Sequence, residues 1–445
     1  MESCGCTKEK VLEVCNQEKV DFIRLQFVDI LGFPKNIVIP NSRLEEALEE
    51  GISFDGSSIA GYATIEESDY IAKPDPKSFV IIPEEIEKRK TAKLNCDIFD
   101  PSGSRFEGDS KYVLERTMQK AEKKGYVFNT GPECEFFLFK KEDGVSTLRP
   151  NDHAGYFELS HRDLAEGVRA DISLALDELG IQTYTSHHEV AEGQHEINFR
   201  YSDALTTADR TITLKYVTKV IANKHNLHAS FMPKPIFGLN GSGMHTHMSL
   251  FDSNRKNGFY NPDSEDMLSD TAKFFIGGLL KHIKEITCIC NPTVNSYKRL
   301  VPGYEAPTYI SWAKRNRSAL IRIPTSKGKG ARVELRSPDL SGNPYLQFAV
   351  MLSAGLEGIE NRIVPPKPVE ENIYELTEGE RKKHGIKQLP ESLGHAISLM
   401  EESAFMKETL GSHIFNNFLH VKNEEWEKYR TQVTKWEIDK YIPVL

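Results

Sequence analysis

The sequence predicts an α+β protein with a small N-terminal domain and a larger C-terminal one, on three observations. The first hundred residues mix short strand-like runs and turns with brief helical segments. A turn-rich run, Asp97-Ile-Phe-Asp-Pro-Ser-Gly-Ser-Arg-Phe-Glu-Gly-Asp109, then makes a credible domain linker. Beyond it, alternating extended segments are mixed with long helical ones, a pattern of antiparallel strands covered by helices. The boundary falls at 105/106, giving domains of 1–105 and 106–445. There is no internal repeat and no low-complexity tract.

Taken in order, residues 8–17 have weak helical character and Val20 to Val28 reads as a strand. Ile30 to Pro40 reads as a turn and a second strand. Ser42 is expected to cap a short helix ending near Glu50, with Gly51 as its stop. Short strands and turns continue to about Cys96. Ser110 to Lys124 has helical spacing closed by Gly125, and Tyr126 to Phe139 looks extended. Ser160 to Gly180, Asp203 to His225, Ser269 to Cys290 and Pro344 to Ile363 all read as helices.

Composition narrows the class. The 445 residues are 39% hydrophobic and 27% charged, enough for a large core, so disorder, collagen and coiled coil are excluded. No window approaches the ~18 apolar residues of a membrane span, and the opening segment has no apolar run of the signal-peptide kind. Seven scattered cysteines suit a reduced, cytoplasmic protein rather than a disulfide scaffold. A net charge of −9 disfavours nucleic acid and anionic membranes as partners. Locally the balance reverses: Asn295 to Arg336 holds ten basic residues against Glu305 and Glu334. Six of the ten are Arg, interleaved with apolar side chains, which suits an anionic-substrate site better than a solvated face.

Four segments carry chemistry. In Gly131-Pro-Glu-Cys-Glu135 the two-residue period aims Glu133 and Glu135 at one face and Cys134 at the other. Two such carboxylates repel unless a cation or an Arg lies between them. In His187-His-Glu-Val-Ala-Glu-Gly-Gln-His-Glu196, Gly193 permits a tight turn, so that Glu189 and Glu196 could face each other across a hairpin; an ordinary polar loop is the alternative. Leu239-Asn-Gly-Ser-Gly-Met-His-Thr-His-Met-Ser-Leu250 is a Gly-rich turn entering a strand, with His245, His247 and Ser249 on one face. Arg332-Val-Glu-Leu-Arg336 sets Arg332, Glu334 and Arg336 on one side, either as a self-neutralised ladder or as a metal-ligating Glu between anion-binding guanidiniums. Together Glu133, Glu135, Glu189, Glu196, Glu334 and His245 are hard donors that favour Mg²⁺ or Mn²⁺ over Zn²⁺, and five carboxylates are too many for one ion. Two divalent ions beside an Arg-rich segment suit phosphoryl transfer from a nucleotide, without a P-loop.

From about residue 20 to the C-terminus the chain resembles glutamine synthetase of the bacterial and archaeal type (type I). The segments carrying the likeness are Phe54-Asp-Gly-Ser-Ser-Ile59, Gly131-Pro-Glu-Cys-Glu135, Asn240-Gly-Ser-Gly-Met-His245, Lys298-Arg-Leu-Val-Pro-Gly-Tyr-Glu-Ala-Pro307, Asn316-Arg-Ser318, Ile321-Arg-Ile-Pro324 and Arg332-Val-Glu-Leu-Arg336. The resemblance implies a β-grasp-like N-terminal domain and a catalytic domain whose curved antiparallel sheet forms a half-barrel at a subunit interface. It further implies a dodecamer of two hexameric rings that uses ATP, L-glutamate and ammonium. On it, Glu135, Glu189 and Glu196 would hold one Mg²⁺ or Mn²⁺, and Glu133, His245 and Glu334 another. Asn240, Gly241, Arg299 and Arg336 would contact glutamate; His247, Ser249 and Arg322 would contact ATP, with Tyr184 where many relatives place a Glu. Arg317 would neutralise the phosphoryl group in flight, Asp55 of an adjacent subunit would deprotonate ammonium, and Glu305 would ride on a closing flap.

Two departures bear on regulation. Thr64 stands where some relatives carry an Arg tied to glutamine feedback, so weak feedback by that route is expected. Tyr374 lies in an Asn-Ile-Tyr segment that aligns with an adenylylated Tyr of another subgroup, but in a different context, and no adenylylation is expected. Effectors and regulatory proteins, the preferred ion, and any role of Cys4, Cys6, Cys288 and Cys290 stay open. So do three other readings: a γ-glutamyl-amine ligase of the same fold, a His-x-His hydrolase, and an inactive regulatory relative.

Overall fold

The computed structural model describes residues 6–62 and 69–445. Cys4 and Thr64 lie outside them. The N-terminal part runs α1 (Lys8–Gln17), β1 (Phe22–Val28), β2 (Pro34–Pro40), α2 (Leu44–Glu50), β3 (Ile52–Asp55), β4 (Asp69–Pro74), β5 (Val80–Ile82) and β6 (Thr91–Phe99). These strands form one sheet in the order β2-β1-β6-β4-β3, with β5 also on β6; β1 and β6 run parallel. Its own apolar cluster includes Ile23, Leu25, Leu44, Ala72, Leu94 and Ile98.

Two sequence expectations fail here for local reasons. Ser42 does not cap α2: a 3₁₀ turn over Asn41–Arg43 feeds the helix directly, and no side chain caps its first turn. Gly51 does end it, at φ +83°. The expected linker begins too early, because Asp97 to Phe99 are paired with β4 as the end of β6. Asp109 then caps α3 (Ser110–Glu122) by accepting from the Lys111 amide.

The second sheet is built on one 16-residue strand, β7 (Val127–Glu142). Around it come β8 (Val145–Pro150), α4 (Glu166–Glu178), β9 (Thr183–His188), β10 (Gln194–Phe199), β11 (Ser202–Asp203), α5 (Ala204–Lys224), β12 (Leu227–Ser230) and β13 (Thr246–Phe251). Next are α6 (Asp270–Cys290), α7 (Ser296–Arg299), β14 (Tyr309–Ile310), β15 (Trp312–Lys314), β16 (Ile321–Ile323), β17 (Val333–Leu335) and α8 (Pro344–Glu360). The chain closes with α9 (Glu378–Lys383), β18 (Lys387–Gln388), α10 (Leu393–Glu401), α11 (Ala404–Leu410), α12 (Ser412–Arg430) and α13 (Lys435–Tyr441). The sheet order is β15-β16-β17-β13-β7-β10-β9, with β8, β11 and β12 also on β7, and only β15–β16 parallel.

The expected helix from Ser160 starts instead at Glu166. Ser160 Oγ accepts from the Arg162 amide and Asp163 Oδ1 from the Ala165 amide, so both side chains hold turns rather than a helix. One face of the large sheet packs on helices through Cys134, Phe136 and Leu138. Beneath it α6 and α8 touch so closely that a Cβ on Gly278 would meet the Ala354 carbonyl at 2.0 Å. The two domains are fastened by polar contacts: Asn343, at the start of α8, donates to the Asp29 carbonyl (3.1 Å), and Lys93 on β6 donates to Thr213 on α5 (3.0 Å).

Candidate active site

The open face of the large sheet carries a cleft of about 570 Å³. Its floor is β7. Strand alternation sends Glu133 and Glu135 into the cleft while Cys134 is buried in the core behind. On one side β10 pairs antiparallel with β7, setting Glu196 opposite Glu135. Hairpin β9–β10 turns at Gly193, which has φ +66° and packs so tightly that a Cβ there would lie 2.8 Å from Pro150. The turn therefore needs glycine, and it places Glu189 beside Glu196 as the sequence suggested.

Two groups of donors result. Glu133, His245 and Glu334 form one, their ligand atoms within 4.8 Å of one another. His187, Glu189 and Glu196 form the other. Beside the expected Glu189 and Glu196 stands His187, 3.3 Å from Glu196 and 3.7 Å from Glu189, while Glu135 gives one carboxylate oxygen to other donors. Its Oε2 accepts from Gln194 (3.0 Å) and from the Gly243 amide (2.9 Å). Glu135 remains on the cleft wall, 4.0 Å from His245.

The electrostatics match that crowding. Burial, with Glu135 and Glu196 nearby, pushes the Glu189 carboxyl up to about 9. Burial raises Glu135 as well. Glu133 is half-buried, yet hydrogen bonds from His245 and His247, both 2.8 Å, hold it far below the usual carboxylate range. Several carboxylates compressed into a shared space, one held off its proton only by imidazoles, form a hard-donor set that fits divalent cations.

Guanidiniums surround the acids. Arg322 Nη2, from β16, and Arg336 Nη1 each lie 2.6 Å from the fully buried Glu334 carboxylate, whereas Arg332 donates instead to His247 Nδ1 at 3.2 Å. The Nε of Arg336 is buried without a hydrogen-bond partner, a donor suited to an anionic ligand. Arg299 gives its guanidinium to the carbonyls of Ser337 (2.7 Å), Pro338 (3.3 Å) and Arg336 (3.1 Å). The Gly-rich loop explains itself here: a Cβ on Gly243 would strike Arg299 at 2.3 Å, and one on Gly241 would strike the Pro233 carbonyl at 2.1 Å.

Of the sequence-predicted residues, Glu133, Glu135, Tyr184, Glu189, Glu196, Asn240, Gly241, His245, Arg299, Glu305, Arg317, Arg322 and Arg336 all line this cleft. Glu334 and His247 reach it through Glu133 and the two Arg. Ser249 is buried on β13, on the strand face of His247, and Asp55 lies at the tip of β3 in the other domain. Asp55 Oδ1 accepts from the Ser57 amide (2.8 Å), so it caps its own turn.

Sequence reading missed His187, Tyr156, Phe157 and Gln194. His187 was legible from its two-residue spacing from Glu189. Phe157 was not: it holds a left-handed φ of +54° and stacks on His187 at 4.3 Å, for which no local pattern exists. Behind the hairpin lies a further buried group, Asp152, His188 and His195. His188 Nε2 is 2.9 Å from Asp152, its Nδ1 is 2.7 Å from the Glu189 carbonyl, and Asp152 also accepts from the Gly193 amide (3.0 Å). Among the described residues no candidate metal group contains a Cys, and all six described cysteines are buried, including Cys6, Cys288 and Cys290. Burial lifts the Cys288 thiol to about 12.

Fold and cleft together define a two-domain α+β enzyme whose catalytic sheet gathers acids for cations and guanidiniums for anions. Residues 19–101 match the β-grasp domain of glutamine synthetase, and residues 107–441 match its catalytic domain. The chain is 52% identical to glutamine synthetase of Clostridium saccharobutylicum, over 98% of both chains. It is 51% identical to that of Methanosarcina mazei, over 100% of this chain and 99% of the other. Among solved structures, the ADP complex of GmaS superposes with a TM-score of 0.88 at 32% identity, covering 97% of this chain and 99% of that one. The chain belongs to the glutamine synthetase family.

Proposed function

We propose that the chain catalyses ATP + L-glutamate + NH₃ → L-glutamine + ADP + phosphate through a γ-glutamyl phosphate. The observation that carries this reading is one cleft holding two carboxylate–imidazole groups beside Arg317, Arg322 and Arg336. Family membership over the whole chain supports it, and the ADP held by the GmaS neighbour supports the nucleotide.

A carboxylate is a poor acyl donor until its oxygen is made a leaving group. Glu133, His245 and Glu334 would hold one divalent ion, and Glu189 and Glu196, with Glu135 or His187, another. Bound there, Mg²⁺ or Mn²⁺ would supply the positive charge that phosphoryl transfer requires. Asn240, Gly241, Arg299 and Arg336 orient glutamate. Tyr184, His247, Ser249 and Arg322 serve the nucleotide, and Arg317, hydrogen-bonded to Tyr156, faces the transferred group. Asp55 attracts ammonium and takes its proton. Because Asp55 sits in the small domain and not on its own chain's cleft, we assign it to a neighbouring subunit's site, in a cytoplasmic dodecamer of two hexameric rings. The domains divide at 105/106.

Purified chain with ATP, glutamate and Mg²⁺ or Mn²⁺ tests this reading. Ammonium should yield glutamine and ADP in equal amounts, and methylamine should compete poorly. Faster turnover with methylamine would make it an amine ligase, and no ADP with either would make it inactive.

A further inference from the structure

Tyr374 was singled out by sequence, and the site chemistry leaves it without a role. Its hydroxyl donates to the Ala306 carbonyl at 2.9 Å. Ala306 is buried and follows Glu305, which has a left-handed φ of +58° and whose Oε2 accepts from Asn240 at 3.2 Å. The loop thus crosses the cleft, and Tyr374 holds it from behind.

What holds Tyr374 is equally defined. Ile373 and Val369 pack with Ala313 and Ala319 in a small separate core. Asn316, next to Arg317, donates to the carbonyls of Val369 (3.1 Å) and Glu371 (2.7 Å), and the Ile373 amide donates to Ser318 (3.1 Å). One segment, 369–374, therefore anchors both the Arg317 loop and the Glu305 loop. Burial raises the Tyr374 phenol, which keeps its proton available to donate.

We propose that Tyr374 is a positioning residue whose hydroxyl latches the Glu305 loop over the cleft and so limits loss of the activated substrate to water. The inference rests on the γ-glutamyl phosphate reading above. In the loss reaction, the oxygen of water forms a bond to the γ-carbonyl carbon and the bond from that carbon to the phosphate oxygen breaks. Glutamate, phosphate and a proton leave, so ATP is hydrolysed with no glutamine formed. Loop closure is the general means of excluding that water.

The test is Tyr374→Phe, which keeps the ring and removes only the donor. ADP and glutamine are measured together at limiting ammonium, beside a melting curve and limited proteolysis of residues 301–307. The excess of ADP over glutamine, per glutamine formed, is expected to rise by about threefold to tenfold over the wild type, the size of one lost hydrogen bond, and with it the ratio, and the loop is cut faster. The ratio is a property of each turnover, so a variant with less folded enzyme still reports it. An unchanged ratio overturns the latch, whether total activity holds or falls. Failure of the wild type to make glutamine overturns the underlying reading instead.

Discussion

Glu133 occupies the point where both imidazoles converge, with His245 on one carboxylate oxygen and His247 on the other. Replacing it with Ala removes a ligand and leaves two histidines without their shared acceptor. Glu133→Ala is therefore expected to weaken one of two cation sites by more than about tenfold while the oligomer persists. Calorimetric titration with Mn²⁺ checks this, and two unaltered sites would remove Glu133 from the ligand set. At this scale the sequence was informative wherever period-two alternation applied, as for Glu133, Glu135, His245 and Glu334. It was silent where a side chain's partner comes from distant chain. Nothing local tells that Gln194 and the Gly243 amide donate to Glu135 Oε2.

Among the elements, hairpin β9–β10 shows how a fold positions ligands from behind. Asp152 is buried and binds both the His188 ring and the Gly193 amide, so it fixes the two ends of the turn that carries Glu189. Asp152→Ala should lower Mn²⁺ affinity by roughly 10-fold to 100-fold, the usual effect of removing a group that orients ligands. It should also lower the melting temperature, because His188 loses a buried partner. Retained affinity in a destabilised variant would make Asp152 structural only. The hairpin was legible from Gly193, and the long helices from their spacing. Boundaries were misread where side chains compete with the backbone, as at Ser160 and Asp163, or where a 3₁₀ turn replaces a cap, as at Ser42.

In the whole molecule, the site lies in one domain and Asp55 in the other, away from its own chain's cleft. Composition and the turn-rich run at 97–109 gave the two-part organisation but not its contacts, since Asn343 to Asp29 and Lys93 to Thr213 join residues far apart in sequence. If neighbouring subunits share each site, Asp55→Ala and Glu133→Ala should each be nearly inactive alone yet complement when co-assembled. Random mixing in equal parts leaves about a quarter of the sites with both residues intact, so about a quarter of wild-type activity should return. No recovery in verified mixed oligomers would mean that Asp55 does not act in a neighbouring subunit's site. The proposed reaction phosphorylates the γ-carboxylate of glutamate itself in this cleft. Glutamate labelled with ¹⁸O in that carboxylate, turned over with ATP and ammonium and followed by ³¹P NMR, tests it most directly. One labelled oxygen per phosphate, formed together with glutamine, is the expected result; unlabelled phosphate accompanying glutamine would contradict it.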